Sequence, residues 1–185
     1  MKIILSSEYR LIFFLFITLV CFCEKTSPID TAGLQPDMLI KNFTTSSYQE
    51  GALAWEISAK ESSYYYSENR SIAKNILLKY YENKKVSATV RADTAVISID
   101  SNDINMQGNV NMIAASGNSL LTERIVWNNK SRMLETEEPV KIIKNNGDTL
   151  EGIGLKADYK LEYYEIKRKV VAVTKKSVNE KTLKK

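Results

Sequence analysis

From Asp103 to Ala114 the chain reads DINMQGNVNMIA, in which Ile104, Met106, Gly108, Val110, Met112 and Ala114 alternate with Asp103, Asn105, Gln107, Asn109 and Asn111. A side-chain period of two puts one apolar row and one polar row on opposite faces of a strand, the pattern of an antiparallel sheet with a single dry side. Gly108 adds nothing to the dry row. It marks either a curved core strand or a place where the sheet bends and another backbone or ligand comes close.

The same period recurs along the chain. Leu53, Trp55, Ile57 and Ala59 form one face of EGALAWEISAKESSYYYS (Glu50–Ser67). Three more runs come next: Ile76, Leu78 and Tyr80; Val86, Ala88, Val90 and Ala92; and Ala95, Ile97 and Ile99. Turn signals stand between them at Glu82–Lys85 and Asp100–Asp103. Leu121, Ile125 and Trp127 share a phase that Glu123 interrupts, and Val140 and Ile142 follow Pro139. Gly117–Asn118, Asn128–Arg132 and Asn145–Asp148 carry turn chemistry. The longest regular run is Ile153, Leu155, Ala157, Tyr159, Leu161 and Tyr163. Short strands at a spacing of about ten residues predict an all-β sandwich, barrel or jelly roll rather than parallel βαβ units. With no amphipathic helix in the pattern to cover it, such a sheet closes on itself, pairs face to face, or leaves part of its interior open. Large side chains in the dry rows contribute about 1.5–3 kcal/mol each when buried, which accounts for folding without any ligand.

Behind Lys2 and Arg10 runs LIFFLFITLVCFC, Leu11–Cys23, which suits the apolar region of an export signal and is short for a bilayer span. Leu19 and Val20 resemble the start of a bacterial lipobox ending at Cys23, but Phe22 stands where a small residue belongs. Two outcomes stay open: lipidation of Cys23, or an uncleaved anchor reaching back through Ile3–Leu5. Either one tethers the rest of the chain to a membrane. The expected organisation is a signal or anchor segment over 1–23, a polar linker over 24–37, a β-domain over 38–174 and a basic tail over 175–185, disordered by its composition.

The remaining composition excludes chemistry. Histidine is absent, so imidazole general bases and histidine metal sites are out of reach. Both cysteines, Cys21 and Cys23, lie in the apolar segment, which leaves the β-domain without a disulfide or thiol nucleophile. EGIGL (Glu151–Leu155) holds a G-x-G inside an alternating strand rather than before a helix, so it is not a dinucleotide loop. There is no G-x-S-x-G, no P-loop and no recognisable carboxylate pair. We therefore expect no catalytic residues, metal or cofactor. Tyr64–Tyr66 lacks the interleaved basic residues that nucleic-acid binding requires. Eight basic residues against Glu180 concentrate the positive charge between Lys167 and Lys185.

Glu50–Ser67, Ile104–Ala114 and Gly147–Leu161 (GDTLEGIGLKADYKL), in that order behind one N-terminal apolar segment, resemble the LptC family over about Met38 to Val173. The resemblance implies a twisted, V-shaped, open antiparallel β-jellyroll on the periplasmic side of the inner membrane of a diderm bacterium. It implies a lipid-transfer component of lipopolysaccharide export, without catalysis. Its partners would be lipopolysaccharide, through the lipid A acyl chains, an LptA-like bridge protein, and subunits of the inner-membrane Lpt ABC transporter. The groove candidates are Trp55, Ile57, Met106, Val110, Met112, Ile125, Trp127, Leu155 and Tyr159, and the partner edge is Val170, Val171 and Val173. The alternative is a tethered β-domain with a structural or protein-interaction role, its interior filled by its own side chains. The family usually carries an uncleaved helix, whereas here the apolar run ends in cysteine. If Cys23 is lipidated, mass spectrometry of the membrane-extracted protein will find residues 1–22 missing and an acylated mass; an intact Met1 establishes the anchor instead.

Overall fold

Alternation builds a sheet only where neighbouring strands complete the hydrogen-bond ladder, and short turns keep each strand beside its predecessor. The structure, a computed structural model, describes residues 35–175. Its strands are β1 (Met38–Gln49), β2 (Ala52–Tyr65), β3 (Arg70–Glu82), β4 (Lys85–Ser98), β5 (Ile104–Ala114), β6 (Ser119–Asn128), β7 (Met133–Ile143), β8 (Thr149–Ala157) and β9 (Tyr164–Val173). They pair antiparallel in sequence order as one nine-stranded sheet. The 3-10 turn Tyr66–Glu68 is the one further element among the described residues. β1 pairs with β2 and β9 with β8, so among the described residues the sheet is open along both edges. This is the all-β antiparallel architecture that the alternation predicts, in the open form that the family resemblance implies. Cys23, the apolar segment before it and Ser177–Lys185 lie outside the described residues.

The hairpins use the expected turn chemistry. Glu50 and Gly51 (φ 51° and 79°) close β1 on β2, and Asn83 and Lys84 (φ 49° and 62°) close β3 on β4. Paired positive φ values give the turn twist that matches the flanking strands.

What turns the sheet into a roll is a line of bulges. Ladder register slips between Arg91 and Thr94, Gln107 and Val110, Thr122 and Val126, Thr136 and Pro139, and Glu151 and Ile153. These breaks sit at the middle of consecutive strands, and each bulge bends its strand and steepens the twist. The inward row therefore changes phase partway along. On β4 it is Ala88, Val90 and Ala92, then Ala95 and Ile97; on β3 it is Ala73, then Ile76, Leu78 and Tyr80. Gly108 stands on the line with φ 77°, and a Cβ there would lie 2.6 Å from Asp93 Oδ2. Asn109 Nδ2 donates to that same oxygen at 2.7 Å. The strand bends and is crowded at one position. Gly152 is a second close approach, where a Cβ would collide with Ile166 Cγ2 and lie 2.9 Å from the Arg168 carbonyl oxygen.

The bulges correct several expectations. On β6 it is Leu120 that enters the core, not Leu121, because the slip at Glu123 shifts the phase before Ile125 and Trp127. On β8 the break around Gly154 in the β7–β8 ladder puts Leu155 and Ala157 inside but leaves Ile153 out of the core. The long run to Tyr163 is not one strand. It ends at Ala157, and Tyr159–Tyr163 is a turn in which Asp158 Oδ1 accepts from the Lys160 and Glu162 amides at 3.1 and 3.0 Å. Leu161 (φ 54°) drops from that turn into the core. Val86 and Ile99 are exposed at strand ends. β1 has too few inward apolar residues, mainly Ile40 and Phe43, to show the period at all.

Valine at 108 must hold a left-handed backbone and displace Asp93, so Gly108→Val is expected to lower stability by about 2–3 kcal/mol, read by urea denaturation. Gly152→Ala, which pries at β9, is expected to lose about 1–3 kcal/mol. Wild-type midpoints for both variants would refute the role given to the bulge line.

Candidate lipid groove and its aromatic mouth

Because the sheet rolls over, residues three strands apart in order meet inside it. The rings of Tyr80 on β3 and Trp127 on β6 lie 4.9 Å apart. Trp55, Ile57, Met106, Val110, Met112, Ile125, Trp127 and Leu155 are all buried in one cluster, and half-buried Tyr159 packs against it. The nine groove candidates thus share one interior. They fill it with their own side chains, Met106 opposite Ile125 and Met112 opposite Leu120 in the β5–β6 ladder.

The interior meets solvent at an aromatic mouth. Tyr159 stacks on Tyr80 with centroids 5.2 Å apart and meets Trp127 edge-on at 6.3 Å. Trp55 is Tyr80's ladder neighbour. Beside these rings is an opening of about 310 Å³ whose rim includes Gln49, Asn102, Asn129 and Arg132. Lys160 donates to Glu82 at 2.7 Å, tying the Tyr159 turn to the β3–β4 hairpin. Three donors here, Trp55 Nε1, Tyr80 OH and Trp127 Nε1, are buried without a partner among the described residues. Each unpartnered buried polar group costs about 1–3 kcal/mol. Burial raises the Tyr80 phenol well above its ordinary value of 10.0. Tyr80 is absent from the groove set that the sequence suggests, although its place at the end of an alternating row, one hairpin from Trp55, is a usable signal.

The partner-edge candidates Val170, Val171 and Val173 lie on β9, 56–60% exposed. On this strand Lys167 and Arg168 both engage Glu137 of β7, reaching over Gly154 of β8, where no side chain intervenes. The pairing with Lys167 holds the Glu137 carboxyl below the usual range. On the outer face, a depression of about 790 Å³ over β5–β9 is lined by Leu121, Pro139, Ile153 and Val171 among others.

Over residues 11–175 the sequence matches the family described as lipopolysaccharide-assembly, LptC-related. The chain belongs to that family. Among solved structures its sheet is similar to a crystal structure of LptH from Pseudomonas aeruginosa, titled the LptA homologous periplasmic component of the conserved lipopolysaccharide transport device. The TM-score is 0.53 at 10% identity, covering 66% of this chain and 95% of that one. At that identity the likeness is one of fold. No curated protein matches the sequence.

In this LptC-related chain the unpartnered Tyr80 hydroxyl gives a stability test. The phenol's folded value lies above 10.0, so its contribution is fully present below the unfolded value and is lost as pH rises beyond it, where the unfolded chain ionises first. Tyr80→Phe removes an orphan group, so a gain of about 1 kcal/mol at neutral pH is expected. A shallower loss of stability above about pH 10 is also expected. Urea denaturation at both pH values checks this; a marked loss at neutral pH would mean the hydroxyl has a partner in the folded protein.

Proposed function

We propose that this protein is a non-enzymatic lipid carrier of lipopolysaccharide export. It takes lipid from an inner-membrane ABC transporter into its apolar interior and passes it to a periplasmic bridge protein, while tethered at the periplasmic side of the inner membrane. The observation that carries this reading is one continuous apolar interior inside a sheet whose two edges are unpaired among the described residues, in a chain of the LptC-related family. An acyl chain gains about 0.8 kcal/mol per buried methylene and needs no specific partner, only dry wall. β1 and β9 share no ladder, so parting the two edges breaks no backbone hydrogen bond between them. Met106 and Met112 supply side chains that refit around an incoming chain. At the edges, unpaired backbone groups accept a strand from a neighbour and join two interiors into one path. β9 is the proposed edge for the bridge protein, and β1 the one for the transporter.

The dense packing of the groove candidates favours a second reading, a tethered β-domain that serves as structure or as a protein-docking unit and admits no lipid. Photo-crosslinkers decide between them. Placed at Met106 and Ile125, both at most 1% exposed, they are expected to capture lipopolysaccharide in cells; protein adducts alone would sink the lipid reading. Placed at Val171 and Val173 they are expected to capture the bridge protein, and capture at Leu39 and Thr45 of β1 instead would reverse the edge assignment.

A further inference from the structure

We propose that the aromatic mouth is a binding site for a sugar ring. It is lined by the aromatic residues Trp55, Tyr80, Trp127 and Tyr159 and by the polar residues Gln49, Asn102 and Arg132. Three of the aromatic residues, at most 5% exposed, each hold a donor without a partner among the described residues. These three residues, half of those with an unpartnered buried side-chain atom, line this one opening. An acyl chain would leave them unpaired, and a bare anion would meet Arg132 but also the negative faces of the rings. A sugar answers both parts, its C–H face on the aromatic floor and its hydroxyls to the donors and rim amides. The opening, about 310 Å³, lies at the small end of ligand sites and suits a ring rather than a chain.

The site stands on its own geometry; only the source of the sugar rests on the lipid-carrier reading, which makes it part of the transported lipid rather than a free saccharide. The chain has two tryptophans, Trp55 and Trp127, and both belong to the mouth. Their emission, and their indole N–H resonances, therefore report on this site without labelling. The full-length protein is titrated with deacylated lipopolysaccharide, glucose, glucose 1-phosphate, inorganic phosphate and octanoate. Saturable shifts of both indole resonances with the saccharides, weakened about tenfold by Tyr80→Phe or by the exposed Arg132→Gln, are expected. Response to glucose as strong as to deacylated lipopolysaccharide assigns the site to free saccharides. Shifts with octanoate or phosphate and not with the sugars overturn the proposal, as does silence of both resonances. If the interior crosslinkers capture lipid while the saccharides leave the indoles unmoved, this proposal fails and the carrier reading stands. Saccharide binding without interior lipid capture gives the opposite result.

Discussion

A sheet with one dry face and, among the described residues, no helix to cover it has its other half to bury that face against, and the rest of this structure depends on that need. Flat strands would leave the two halves apart. The row of bulges through β4–β8 supplies the bend, and because each inserts residues into a pleated strand, it also reassigns which residues point inward. Gly108 and Gly152 are where two backbones or a carboxylate come too close for a side chain. Curvature and core composition are thus settled together.

On the outer face, register is held by paired charges. Glu56 lies opposite Lys79, Glu61 opposite Lys74, Glu135 opposite Lys156 and Lys141 opposite Glu151, and each ladder pair also forms an ion pair. Exposed pairs of this kind add little to stability. A slip of one residue would set these charges against the wrong partners and turn the dry row outward, so their value lies in fixing the alignment.

At the mouth the balance is different. Packing four aromatic side chains against one another buries large apolar area, and leaves two indole donors and a phenol without partners. Ser62, Arg70 and Asn111 also hold a buried atom without a partner among the described residues, but only at the mouth do three such groups line one opening. Val170, Val171 and Val173 likewise remain exposed on β9, the edge proposed above for a partner strand.

Much of this was legible in the residues. Alternation in Asp103–Ala114 and Glu50–Ser67, with turns at Glu82–Lys85 and Asn145–Asp148, determined an all-β chain with one dry face, because a period of two and turn dipeptides act within a few residues. The inward residues of the groove set were recognisable for the same reason. What the tertiary structure decided lies where local rules stop. β1 is an edge strand whose polar sequence needs β2 to hold it extended. Leu120 replaces Leu121, and Ile153 leaves the core, because a bulge between two strands shifts a phase that either strand alone would have kept. Tyr80 meets Trp127 only because bends accumulated over the intervening strands bring β3 against β6. A sequence window specifies where a side chain points from its own strand; what it touches depends on the summed curvature of all the others.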